Sequence, residues 1–165
     1  MLSILSFVVS ALAIIISGLT AWLTLFRKGR LVMTQPTVVF FGPDGSSFNS
    51  KHNKIYLRTL LYSTAKKGQV LESLHISIHR NETQQNFNIW VYGDQGELKR
   101  GSGLYVTQEG VTYDHHFLLP KDGANFEFLP GTYKLKVYAK LVRKNKCSLL
   151  SEIALKINEN QAVQL

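Results

Sequence analysis

A single cysteine, Cys147, stands in a chain of 165 residues, so no internal disulfide forms, a usage that fits a reducing compartment. Acidic residues are scarce, 11 against 19 lysines and arginines, for a formal net charge of +8. That excess suits life beside an anionic leaflet. Phosphate-binding glycine spacings are missing: the glycines near 42–45, 93–96 and 101–103 match none of them, none opens a helix, and they read as hairpin and bulge glycines. Metal-ligand spacing is missing as well. His75 and His79 share a strand face but stand about 13 Å apart, and His115 and His116 point to opposite faces. Cys147 has no neighbouring histidine or carboxylate in sequence, and no nucleophile, base and oxyanion donors assemble from these residues. Enzymatic activity, a cofactor and a metal are therefore not expected.

Charge is absent altogether from residues 2–26, and this run organises the rest. Coiled as a helix at about 1.5 Å per residue, it exceeds the roughly 30 Å hydrocarbon core of a bilayer. A cleaved signal peptide begins with positive charge and has a shorter apolar core. Here Arg27, Lys28 and Arg30 follow the span instead, and Trp22 and Phe26 sit about one turn apart where an interfacial aromatic anchor belongs. Positive flanks stay in the cytoplasm, so the chain reads as single-pass, with its N-terminus outside and everything after Arg27 cytoplasmic. Residues 1–30 are then the anchor with its basic juxtamembrane segment, and residues 31–165 one cytoplasmic domain.

Inside the span, Ser3, Ser6, Ser10, Ala13, Ser17, Thr20 and Thr24 follow a strict three-four alternation, the a/d seam of a heptad repeat. Every hydroxyl of the span lies on it, and bulky aliphatics fill the other faces. Helices in lipid associate by close backbone approach across small residues and by interhelical hydrogen bonds, so the seam predicts packing against a copy of itself or another span. Two other uses compete: hydroxyls bonded back to their own helix, and a pore lined by several copies.

Beyond the anchor, β-branched and aromatic content and period-two alternation predict strands at 37–41, 55–62, 73–79, 87–92, 98–106, 111–118, 126–129, 133–141 and 148–157. Turn chemistry at Asp44 and Gly45, a polar loop over 46–53, and turns at 81, 93–96, 120–125 and 145 divide them; no helical pattern is seen after the anchor. Leu74, Ile76 and Ile78 share one face. Phe87, Ile89 and Val91 face one way and Asn88, Trp90 and Tyr92 the other. Gly101 and Gly103 mark a bulge or bent edge.

Pro130, Gly131, Thr132 and Tyr133 lead into a strand in which Tyr133, Leu135, Val137, Ala139 and Leu141 alternate with Lys134, Lys136, Tyr138 and Lys140. This passage resembles the penultimate strand of immunoglobulin-like sandwiches, without the paired cysteines of antibody domains. The fold expected is all-β: a Greek-key immunoglobulin-like β-sandwich of about seven to nine strands, preceded by a single N-terminal transmembrane helix.

Trp90 and Tyr92, outward on their strand, are candidate anchors for a partner. The row Lys134, Lys136 and Lys140, with Arg143 and Lys144 beyond it, is a second candidate surface, for anionic groups, although outer-face lysines ordinarily serve as solvated charge that blocks edge pairing. The expected function is a membrane-tethered, non-enzymatic interaction module. Its partners are membrane lipid, itself or another membrane protein through the helix, and a cytoplasmic protein; nucleic acid is not expected. The alternative is a small pore-forming effector or channel subunit whose hydroxyl-rich helix face lines a conduit.

Overall fold

The structure is a computed structural model that describes residues 2–43, 53–94, 97–120, 126–142 and 144–165. Leu2–Ala21 form helix α1, and one π-helical turn over Trp22–Phe26 extends it, closed by the Arg27 N–H donating to the Trp22 carbonyl at 3.2 Å. No part of the span Ser3–Phe26 is buried against the rest of the chain. It is long and apolar enough to cross a membrane, and its place near the N-terminus is also that of a signal sequence.

Among the described residues eleven strands follow: β1 Leu31–Met33, β2 Val38–Pro43, β3 Asn53–Ser63, β4 Gln69–Arg80, β5 Thr83–Phe87, β6 Ile89–Asp94, β7 Glu97–Arg100, β8 Leu104–Val106, β9 Val111–Leu118, β10 Gly131–Leu141 and β11 Ser148–Ile157. A short helix, α2 Glu159–Gln164, follows β11. One sheet carries β1 and β2 end to end along one edge of β3 and continues β9-β6-β7; the other orders β11-β10-β4-β5, with β8 also on β4. All pairings are antiparallel. The order β2-β3-β9-β6 facing β11-β10-β4 is the Greek-key order of immunoglobulin-like sandwiches, strands A-B-E-D over G-F-C, with β5 added beside C.

Alternation within the long strands decides what the two sheets bury between them. Ile55, Leu57, Leu61 and Phe117 come from the first sheet, and Leu74, Ile76, Ile78, Leu135 and Val137 from the second, all without solvent contact of consequence. Each such side chain contributes roughly 1.5–3 kcal/mol of apolar burial. Tyr133, near the start of β10, closes the corner: its ring is buried and its hydroxyl donates to the Leu129 carbonyl at 2.7 Å, the tyrosine-corner bond. Leu135 occupies the position where antibody domains place their second cysteine.

Several expectations are corrected. Residues 87–92 are two strands, because at Asn88 the chain leaves the second sheet for the first and the inward parity flips. Residues 98–106 likewise divide into β7 and β8, which belong to opposite sheets. Residues 126–129 form no strand; Phe126 and Phe128 pack edge-on at 5.1 Å, and Phe128 lies beside the Tyr133 ring. The connection at 31–33 is a strand, and α2 is a helix where none was expected, started by a capping box between Asn158 and Gln161. The expected turn residues Asp44, Gly45, Gln95 and Gly96, the loop positions 46–52, the 121–125 connection and Arg143 lie outside the described residues.

Candidate membrane-facing site

The chain leaving α1 is fastened at once to one end of the sandwich. Arg30 N–H donates to Thr64 Oγ1 at 2.8 Å, Thr64 N–H donates to the Arg30 carbonyl at 3.0 Å, and the Gln69 side-chain amide donates to the Gly29 carbonyl. Gly29 must be glycine for this approach, since a Cβ there would stand 2.8 Å from Ala65 Cβ and 2.9 Å from Ser63 Oγ. The β3–β4 turn at 64–68 is therefore the first part of the domain met beyond the helix.

Two further connections reach the same end. Ser63 N–H donates to the Thr107 carbonyl at 2.8 Å, which brings in the β8–β9 turn, and Val142 N–H donates to the Val70 carbonyl at 3.0 Å, which brings in the β10–β11 turn. Lys66 and Lys67 are exposed in the first of these turns, and Lys144, Lys146 and Cys147 in the last. With Arg27, Lys28 and Arg30, also largely exposed, they rim the root of the helix with positive charge. Sequence reasoning missed this grouping, because its two lysine pairs lie far apart in the chain.

On the helix, four of the seam hydroxyls are bonded back to their own backbone. Ser6 Oγ donates to the Ser3 carbonyl and Ser10 Oγ to the Ser6 carbonyl, both at 2.9 Å; Thr20 Oγ1 donates to the Ile16 carbonyl at 2.8 Å, and Thr24 Oγ1 to the Thr20 carbonyl. Such bonds satisfy the hydroxyl protons without a partner helix and leave the narrow seam, with Ala13 and Ser17 also exposed, open to close approach. Trp22 and Phe26 project from the end of the span, 56% and 69% exposed.

Two expected surface residues are repositioned by the strand break at Asn88. Trp90 is only 3% exposed, and its Nε1–H donates to His115 Nδ1 at 3.1 Å. Gly101 seats against the same ring, where any Cβ would fall inside the indole envelope. Tyr92 is half-buried between the rings of Trp90, at 5.4 Å, and Tyr113, at 5.1 Å. Neither aromatic is a free outward anchor, because both line the inner face of the first sheet. Within the lysine row, Lys136 and Lys140 are half-buried and partly neutralised: Lys140 Nζ lies 2.6 Å from Glu72 and Lys136 Nζ 4.0 Å from Glu152. Lys134 remains exposed.

The histidines divide by environment. Burial pushes the His115 imidazole down to about 4 and lowers that of His75, which stacks on Tyr138 at 5.2 Å. His79 shares a 3.1 Å contact with Ser77 Oγ, and His116 packs on Tyr56 across the outer face. Among the described residues no three His, Cys, Asp or Glu side chains group closely enough to hold a metal ion. At the opposite end of the sandwich an open groove of about 680 Å³ runs between residues 127–130 and α2, lined by Phe128, Leu129, Pro130, Ala162 and Val163.

No protein-family model and no curated protein matches this chain. Among solved structures, the putative ApaA protein from Bordetella pertussis is similar at 14% identity with a TM-score of 0.38, over 81% of this chain and 98% of that one. The CooA pilin subunit from enterotoxigenic Escherichia coli is similar at 10% identity with a TM-score of 0.35, over 78% of this chain and 98% of that one. At such scores neither neighbour assigns a fold or a function here.

Proposed function

We propose that the chain is a single-pass, membrane-anchored, non-enzymatic interaction module, in which α1 crosses the bilayer and the immunoglobulin-like sandwich faces the cytoplasm. The observation that carries this reading is the 24-residue span Ser3–Phe26, none of it buried by the protein itself. Leaving so many large apolar side chains in water forgoes roughly 1.5–3 kcal/mol apiece, and lipid is the solvent that recovers it. Arg27, Lys28 and Arg30 follow directly and favour the cytoplasmic side for the domain. The small-residue seam gives α1 a face for a second copy or another span. The non-enzymatic part rests on the sequence, where no nucleophile, base and oxyanion donors come together.

Alkaline carbonate extraction of membranes, with intact-mass measurement of the pelleted protein, tests this. The full-length mass in the pellet is expected. A mature chain lacking the span would make it a cleaved signal and overturn the anchor. Side is read from Cys147, exposed in the β10–β11 turn: it should resist a membrane-impermeant maleimide on intact cells and react after permeabilisation. Labelling of intact cells would invert the topology.

A further inference from the structure

We propose that the end of the sandwich nearest α1 docks on an anionic phospholipid leaflet, the leaflet in which α1 ends, through Lys66, Lys67, Lys144 and Lys146 around an apolar patch of Val70, Tyr105 and Val142. This rests on the anchored reading above and adds the surface by which the domain meets the membrane.

The first argument is reach. Only Arg27, Lys28 and Gly29 separate Phe26 from the backbone bonds at Arg30, and three residues span at most about 10 Å. The polar layer of a leaflet is itself about 5–8 Å deep, so the turn at 64–68 is held at headgroup level. A domain tethered this closely presents this end to the phosphates whatever its rotation about the tether.

Charge is the second argument. The turns at 64–68 and 142–147 contain four lysines and one arginine and no acidic residue. Neighbouring connections do not cancel them: Glu109 is the one acid of the β8–β9 turn, and the β6–β7 hairpin balances Asp94 and Glu97 with Lys99 and Arg100. Unlike Lys136 and Lys140, which face acidic residues across strands, these four lysines project from turns into solvent.

The third argument is the apolar patch. Val70 and Tyr105 are cross-strand partners on the outer face of the second sheet, and Val142 bonds to the Val70 backbone beside them. They are 44%, 57% and 46% exposed, contiguous, and bordered by Gly68, where a Cβ would press into the Tyr105 ring. Tyrosine beside aliphatic side chains, flanked by lysines with long methylene stems, is the composition that settles at a headgroup boundary.

The test uses the full chain reconstituted in vesicles, with an environment-sensitive fluorophore on Cys147, which sits in the docking turn itself. Quenching by headgroup-spin-labelled lipid is compared in phosphatidylcholine and in phosphatidylcholine mixed with phosphatidylglycerol. Quenching should rise severalfold in the anionic vesicles and return towards the neutral level in high salt. The combined change Lys66→Glu, Lys67→Glu, Lys144→Glu and Lys146→Glu should abolish the rise, and Tyr105→Ser should weaken it while keeping its salt dependence. Equal quenching of the unsubstituted protein in both lipids, or a rise that salt does not reverse, overturns the proposal without needing any variant to fold. Carbonate resistance of the same vesicles keeps the two readings apart: retained protein without lipid-dependent quenching refutes docking alone, whereas released protein refutes the anchor.

Discussion

Lowering the pH from 7 to 5 should cost the sandwich about 2 kcal/mol through His115 alone. The ring is fully buried, and Trp90 Nε1–H donates to its Nδ1, so the neutral tautomer carries its proton on Nε2. Protonating Nδ1 would set donor against donor and break that bond. Burial is the main cause that holds the group down to about 4; His116 adds slightly, and Asp114 partly opposes. The sign follows from linkage. The unfolded chain takes up a proton near the ordinary 6.5 and the folded chain resists until about 4, so the stabilisation is complete above pH 6.5 and is lost as pH falls towards 4. His75, also lowered by burial, acts in the same direction. The variant to compare is His115→Gln, whose side-chain oxygen can keep accepting from Trp90 while removing the titration. Urea unfolding of the full chain in mild detergent, followed by Trp90 fluorescence in a Trp22→Phe background, reads the difference at pH 7 and pH 5. Identical pH dependence in the two proteins would refute a buried neutral histidine behind Trp90.

Tyr133→Phe removes the bond to the Leu129 carbonyl and should destabilise by about 1 kcal/mol in the same unfolding assay, while Lys134→Ala, one residue on and exposed, should change little. Gly101→Ala drives a methyl into the indole of Trp90 and should cost about 2–3 kcal/mol, with a shifted Trp90 emission as its signature; a neutral effect would mean that this contact yields freely. Replacing Ser10 and Ser17 together with leucine keeps the span apolar but fills the seam, so crosslinked oligomers in lipid should fall sharply, whereas Leu12→Ser with Leu19→Ser should leave them. Loss of ion conductance with oligomers intact would instead favour a hydroxyl-lined conduit.

Legibility of the fold followed the strength of local alternation. β3, β9 and β10, whose inward residues repeat without interruption, and the regular parts of β4 and β11 on either side of their bulges, were readable because each buries one face and solvates the other. Parity was lost at Asn88, where one unpaired residue carries the chain between sheets and turns Trp90 inward; no period-two pattern records such a step. Size was the overlooked clue, since an indole with a single polar atom is far more easily satisfied in a core beside a histidine than on a wet face. Residues 126–129 have strand composition, yet Phe126 and Phe128 are used as packing against Tyr133 and Phe87. The capping box of α2 is present in sequence as Asn158 and Gln161, three apart, but the helix it starts is too short for a periodic pattern.

The basic rim at the root of α1 was hidden for a different reason, which is that its charges come from turns far apart in the chain. Seen one at a time, Lys66 and Lys67, or Lys144 and Lys146, are ordinary turn charges. In an antiparallel sandwich, however, connections alternate between the two ends, and the anchor fixes which end is proximal. The first strand layer, β1 with β2, carries the chain away from Gly29 and β3 returns it to the turn at 64–68. By the same counting β8 returns to 107–110 and β10 to 142–147, while Asn81, residues 127–130 and α2 fall at the far end. Strand order was not needed for this, only strand number and antiparallel sense. A single strand at 87–92 leaves the count intact, because β5 and β6 run in the same sense; a single strand at 98–106 hides the reversal between β7 and β8, which the strand expected at 126–129 but not formed offsets before β10. The turns after 55–62 and 133–141 thus fall at one end on either count; the error at Asn88 only turned Trp90 outward, and it is the root of α1 that makes the two lysine turns one surface.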